Sequence, residues 1–346
     1  MSTGKSISPP RLVAWETTRA CNLVCRHCRA EAVLEPPADE LSHEEALSML
    51  EDIAAWKPSP MVILSGGEPL MRPDILELAS YGTSRGLKML LSTNGTLVTP
   101  QLAADMKGAG VARVSLSLDG PDAASHDDFR GMPGAFEALK RGAAYLREAG
   151  LSFQINTTLT AGNLSQAEIM TAMTVELGAA AHHIFLLVPV GRAGDMESLS
   201  AEEYEAALKT IKQREPSLTI DFKATCAPQY QRIGREMGLS AGRHSGRGCL
   251  AGQGFMFVSS TGICQGCGYL PLSAGSVREK SIVEVYEKSP LFVALRDRLT
   301  YRGKCGDCEY WNICGGCRAR AHAQGDYLGP EPLCPHQPQS GKGAEA

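Results

Sequence analysis

Twelve of the 346 residues are cysteine, and their positions carry most of the chemistry that can be read from this sequence. Three fall together at Cys21, Cys25 and Cys28, in a C-x3-C-x2-C spacing. None follows until Cys226; then come Cys249, Cys264, Cys267, Cys305, Cys308, Cys314, Cys317 and Cys334. Cysteine thiolates are the usual ligands of a 4Fe-4S cluster. Three local thiolates leave one iron without a protein ligand. That iron is open to a small chelating molecule, which a catalytic cluster needs and a structural one does not. A zinc site that borrows a fourth cysteine is the plainer alternative, although structural zinc favours C-x2-C pairs. The cysteine-free middle of the chain separates two regions with different metal chemistry.

Around these residues the chain alternates short apolar runs with amphipathic stretches. The pattern predicts strands at 12–15, 61–64, 88–91, 112–116, 152–156 and 183–188, with helices at 42–56, 73–85, 100–108, 134–149, 165–178 and 200–214. Ser42 and Glu45 form a capping-box signature, and Thr99-Pro100 puts proline at a first helical position. Gly86, Gly110 and Gly150 stand where left-handed helix caps belong. Such alternation implies βαβ units and a parallel sheet. Six units, short of the eight of a closed TIM barrel, imply an open α/β partial (β/α)6 barrel. Beyond about residue 216 the sequence turns rich in Cys and Gly, with one predicted helix at 281–299. Metal coordination would supply folding energy there. The expected organisation is a flexible N-terminus at 1–10, the barrel at 11–215, a cysteine-rich domain at 216–337 and a disordered tail at 338–346.

Composition excludes several classes. Hydrophobic residues are 43% and charged residues 21% of the chain, as in soluble globular proteins. The formal net charge is −4, so no basic surplus points to nucleic acid. No apolar run approaches the roughly 18 residues of a membrane span, and the opening MSTGKSISPP lacks a signal-peptide core. A cytoplasmic protein is expected, and a reducing cytosol keeps cysteines free for metal.

Further polar groups gather at the carboxyl ends of the predicted strands, the rim where barrel active sites are built. Gly66, Gly67, Glu68 and Pro69 follow the second strand, and Ser92 to Gly95, including Asn94, follow the third. Ser117 and Asp119 end the fourth, and Arg130 lies 13 residues after Ser117. Asn156 ends the fifth, and Pro189 to Gly191 lie beyond the sixth. Alone, a Gly-Gly pair is a turn and Ser-Thr-Asn-Gly a loop. Placed together with the cysteine triad, these groups resemble the radical S-adenosylmethionine superfamily. The resemblance implies an enzyme whose 4Fe-4S cluster, on Cys21, Cys25 and Cys28, binds S-adenosylmethionine through its amino and carboxylate groups and cleaves it to a 5′-deoxyadenosyl radical. It implies that Gly66 to Pro69 contact the methionine amino group, with the Glu68 carboxylate as acceptor. Ser92 and Asn94 would meet the ribose, Ser117 and Arg130 the carboxylate, Asn156 would also line the cofactor site, and Pro189 to Gly191 would lie near the adenine. His27 takes the place of an aromatic residue near the adenine; whether it protonates there is open.

The later cysteines resemble the SPASM extension of these enzymes, which carries one or two auxiliary 4Fe-4S clusters. That pattern ends C-x2-C-x5-C-x3-C, whereas here the last interval is x2. By analogy Cys249, Cys264, Cys267 and Cys317 would hold one cluster and Cys305, Cys308, Cys314 and Cys334 a second. A single cluster, or zinc on the C-x2-C pairs, is the alternative. Cys226 is left over, either a small buried hydrophobe or a ligand. The run RLVAWETTRACNLVCRHCRAEA, Arg11 to Ala32, and the run KATCAPQY, Lys223 to Tyr230, are similar to tetrapyrrole-modifying enzymes of the AhbD and NirJ group. This implies oxidative decarboxylation of Fe-coproporphyrin III propionates to vinyl groups, giving haem b. It implies an external electron donor and acceptor, and a monomer. Arg29 and Arg192 are candidates to meet substrate carboxylates, against the plainer reading of solvated surface charges. His182, His183 and His244 are candidates for haem iron, the first two alternatively capping a helix–strand junction. Other readings are the didecarboxysiroheme or haem d1 reactions, peptide modification, or a non-enzymatic iron–sulfur or zinc redox sensor.

Overall fold

In the computed structural model, residues 7–239 and 246–338 are described; His244, the first six residues and most of the expected tail lie outside them. Ten strands make one sheet: β1 (Leu12–Glu16), β2 (Met61–Ser65), β3 (Lys88–Ser92), β4 (Arg113–Ser117), β5 (Phe153–Leu159), β6 (Ala181–Leu186), β7 (Asp221–Thr225), β8 (Phe255–Val258), β9 (Ile263–Gln265) and β10 (Gly275–Ser276). Their order is β10-β9-β8-β1-β2-β3-β4-β5-β6-β7. β1 to β7 run parallel, β8 pairs parallel to β1, and β9 and β10 are antiparallel additions.

The six expected strands form the partial barrel, and β7 and β8 extend it on both edges past residue 215. β8 escapes a periodicity reading because the antiparallel strand β9, and no helix, follows it, and β7 because the helix after it, Gln229–Glu236, is short and mostly polar in sequence. The capping box at Ser42 forms as expected, opening the helix His43–Ala55, and Thr99 caps Pro100–Gly108. Ser281–Leu299 is not one helix: Ile282–Lys288 and Pro290–Arg296 meet at Ser289, because Pro290 lacks the N–H a continuing helix requires. A short helix, Ala123–Arg130, was not anticipated; its polar sequence has no apolar stripe, yet it buries His126, Phe129 and Arg130.

Alternation along the strands sorts side chains onto two faces. Val62, Leu64, Met89, Leu91, Val114 and Leu116 are wholly buried in the core. The intervening Ser65, Ser92, Ser117 and Asn156 are half-buried on the inner face. Among the described residues no helix is long and apolar enough to cross a membrane.

Candidate active site

The loop carrying Cys21, Cys25 and Cys28 leaves β1 and is closed at its base. Cys21 N–H donates to the Val33 carbonyl at 2.8 Å, and Val33 N–H to that of Arg19 at 3.0 Å. Each sulfur accepts one donor: Leu23 N–H to Cys21 at 3.4 Å, Ala32 N–H to Cys28 at 3.5 Å, and Arg130 Nη1 to Cys25 at 3.7 Å. Cys21 and Cys25 pack in one small cluster with Leu23 and Ala32, with Cys28 and Met132 against it. Burial pushes the Cys21 thiol up to about 11, so a metal taking the thiolate must release the proton.

Gly66 and Gly67 hold this loop from the other side. Gly67 N–H donates to the Thr18 carbonyl and Glu68 N–H to that of Ala20, each at 2.8 Å. A Cβ on Gly66 would collide with the Thr18 carbonyl oxygen, and one on Gly67 with that of Ala20. Glycine is required because two backbones touch. Glu68 is wholly buried, with Pro69 opening the turn after it. Its carboxylate accepts from Thr93 Oγ1 at 2.7 Å, Asn94 N–H at 2.7 Å and Leu70 N–H at 3.1 Å. Burial lifts its pKa to about 7 against those bonds. Glu68 thereby ties the β2 turn to the β3 turn, its Oε1 accepting two of these bonds and its Oε2 one. Asn94 is held in the same network: its Nδ2 donates to Asn22 Oδ1 at 2.9 Å and its Oδ1 accepts from Thr96 N–H and Oγ1. Glu68→Ala should lower stability by about 1–3 kcal/mol, the cost of stranding three buried donors. Glu68→Gln should lose less, and denaturant midpoints of the two variants will show the order.

Arg130 is buried in an ion pair with Asp119, which is 2% exposed and also accepts from Thr158 N–H at 2.6 Å. Among the described residues Arg130 Nε has no hydrogen-bond partner, and neither has the buried Nδ1 of His27. The His27 ring stacks on Phe129 at 4.5 Å between centroids with 16° between planes. Burial pushes its pKa down to about 4, which favours the neutral ring. Ser92 and Ser117 end β3 and β4 as expected, whereas Asn156 lies in the middle of β5, which runs on to Leu159; its Oδ1 accepts from Gln154 Nε2 at 3.0 Å. Neither Arg29 nor Arg192 is a solvated surface charge. Arg29 pairs with Glu16 at 3.0 Å, and Arg192 donates to the carbonyls of Cys25 and Ala32 at 2.9 and 3.1 Å, bracing the cysteine loop. His182 is buried on the outer face between Thr157 and Thr171 at 2.9 and 3.1 Å. Sequence reasoning assigned no role to Asp119 and missed Phe129; an acid two residues beyond Ser117 at a strand end was the available signal for the first. Three clustered sulfurs with one donor each, beside two buried polar atoms lacking partners, fit a 4Fe-4S cluster with a polar molecule on its open iron.

The later cysteines form two groups. Cys305, Cys308, Cys314 and Cys334 line one cavity with Trp311, Gly315, Glu331 and His336, and Cys305 Sγ accepts from Glu331 N–H at 3.3 Å. His336 stands 3.1 Å from Glu309, and Cys308, Glu309 and His336 are close enough to share a single metal ion. Cys267 is pushed up to about 12 by burial and by the charges of Cys317 and Cys249. Cys226 is raised by burial and by Cys317, Cys267 and Cys249. Its backbone is left-handed, at φ 55, and its carbonyl accepts from Arg320 Nη2 at 2.8 Å and Tyr204 Oη at 3.1 Å. Arg320 is paired at 2.9 Å with the buried Glu331, whose other oxygen accepts Cys317 N–H. One buried ion pair thus ties Cys226 to Cys317. Cys264, expected in this group, sits in β9 in the hydrophobic core; burial alone raises it to about 12, with no thiol neighbour contributing.

Comparison with known proteins agrees with this geometry. Residues 15–171 match the family model for the radical SAM superfamily. The chain is 48% identical to the AdoMet-dependent heme synthase of Nitratidesulfovibrio vulgaris, over 95% of this chain and 93% of that one. It is 46% identical to the AdoMet-dependent heme synthase of Methanosarcina barkeri, over 95% and 97%. In fold it is similar to the crystal structure of Streptococcus suis SuiB bound to S-adenosylmethionine, with TM-score 0.77 and 18% identity, covering 95% of this chain and 78% of that one. The protein described here belongs to the radical SAM superfamily and, within it, to the family of the AdoMet-dependent heme synthases.

Proposed function

We propose that this protein oxidatively decarboxylates propionate side chains of Fe-coproporphyrin III to vinyl groups and so makes haem b. The observation that carries the reading is the near-full-length identity to AdoMet-dependent heme synthases together with the three-cysteine site. At each propionate the change balances: –CH2–CH2–COO⁻ becomes –CH=CH2 with loss of CO2, one proton and two electrons. One hydrogen atom, a proton with its electron, leaves the carbon β to the carboxylate, and the second electron goes to an external acceptor. S-adenosylmethionine cleaved at the cluster supplies the hydrogen abstraction.

In this reading Cys21, Cys25 and Cys28 hold the cluster. Ser117 and the unpartnered Nε of Arg130 hold the methionine carboxylate, Ser92 the ribose, and Asn156 with the neutral His27 ring the adenine. Gly66, Gly67, Glu68, Pro69 and Asn94 set the loop positions on which those contacts depend. Cys305, Cys308, Cys314 and Cys334 hold one auxiliary cluster, and Cys226, Cys249, Cys267 and Cys317 the other. Both stand within the cysteine-rich region and give the second electron a way out to its carrier. Anaerobic incubation with Fe-coproporphyrin III, reductant and S-adenosylmethionine should yield two successive mass losses, each that of CO2 with two hydrogens. Formation of 5′-deoxyadenosine over an unchanged porphyrin would reject the reading.

A further inference from the structure

β4 to β7 carry a polar row that the radical site uses only at one end. Register places Ser117 beside Asn156, Asn156 beside His183, and His183 beside Lys223. Residues paired across a parallel ladder share a face. The alternate residues show which face this is. His182 and Phe222 pack edge to face at 5.8 Å, and His182 bonds Thr171 in the helix layer. His183 and Lys223 therefore point the other way, into the barrel. Gln154 Nε2, on the same face, lies 3.0 Å from His183 Nδ1. All four residues of the row are half-buried, so solvent reaches them.

Lys223 makes no hydrogen bond or ion pair with another described residue. Burial lowers its pKa, with the charge of Arg11 adding and those of Cys226 and Asp221 opposing. Asp221, two residues back, is the one carboxylate on the inward positions of these four strands. An ammonium partly withdrawn from water, with no partner among the described residues, carries a desolvation cost that an incoming anion removes. Lysine and histidine beside a serine and an asparagine make a receptor for a carboxylate rather than a cation.

Building on the substrate reading above, we propose that Lys223, with His183 beside it, anchors a propionate carboxylate of the macrocycle, placing the ring against the Ser117–Asn156 end of the row. Neither residue is a ligand of any cluster proposed above. The experiment is an anaerobic absorbance titration of cluster-loaded protein with Fe-coproporphyrin III and with its tetramethyl ester, in the wild type, Lys223→Met and Lys223→Arg. The wild type should prefer the acid. Lys223→Met should lose about 10- to 100-fold affinity for the acid, as for a charge-assisted hydrogen bond, and change little toward the ester, while Lys223→Arg keeps the preference. Iron content per chain confirms that each variant is folded and loaded. A Lys223→Met protein that still prefers the acid as the wild type does overturns the anchor and leaves the substrate reading standing. A wild type that binds neither porphyrin removes the substrate reading, and the anchor with it.

Discussion

Exchanging Arg130 for methionine will cost the protein about 3–5 kcal/mol of stability, because it leaves the charge of Asp119 buried and uncompensated. Asp119 is 2% exposed, and Arg130 is its only ion-pair partner among the described residues. Against its burial, the pair holds Asp119 below its ordinary carboxylate value, and Arg130 against Cys25 is kept charged. Binding of S-adenosylmethionine will fall in the same variant, since the guanidinium proposed to hold its carboxylate is gone. The two losses can be separated. Asp119→Asn combined with Arg130→Met removes both charges and should recover much of the denaturant midpoint. It should recover none of the binding measured by equilibrium dialysis. Arg130→Lys keeps the charge without the fork that serves Asp119 and Cys25 at once, and should fall between. An Arg130→Met protein within about 1 kcal/mol of wild type, the range of an ordinary surface change, would show that Asp119 is not held as described.

Cys226→Ala will lose one auxiliary cluster, about four irons per chain. Cys264→Ala will keep its iron. The second substitution trims a buried thiol from the core and should cost about 1 kcal/mol, a typical point-mutant effect. The first removes a thiol whose backbone is held by Arg320 and Tyr204 in a conformation that non-glycine residues adopt rarely. That cost is sustained where the surroundings over-determine it, as they do at functional positions. Iron and acid-labile sulfide per chain, with the low-temperature EPR of the reduced protein, read the outcome directly. If Cys264→Ala loses the iron and Cys226→Ala retains it, the ligand pairing drawn from the SPASM resemblance stands and the one proposed from the structure falls.

Much of the site was legible in the order of residues because its parts are local. Three cysteines within eight residues converge whatever surrounds them, and a parallel βα sheet brings every strand's carboxyl end to one rim. The six principal strands and their flanking helices followed from periodicity and caps, since each is set by neighbours a few residues away. Cys305, Cys308, Cys314 and Cys334, which the family resemblance groups together, line one cavity.

What tertiary structure alone decided are pairings between distant residues, where sequence separation says nothing about space. Arg130 meets Asp119 only because a short polar helix folds back over β4, and that helix has no apolar stripe to announce it. That the Glu68 carboxylate is buried against the Thr93–Asn94 turn, 25 and 26 residues away, is likewise written nowhere in the Gly66–Pro69 run. The places of Cys264 and Cys226 are set in the same way. A strand pairing turns the first into the core, and an ion pair between Arg320 and Glu331 draws the second to Cys317. A chain can list the donors and acceptors it owns, but burial and long-range partnership assign each its work, and both arise only when the chain closes on itself.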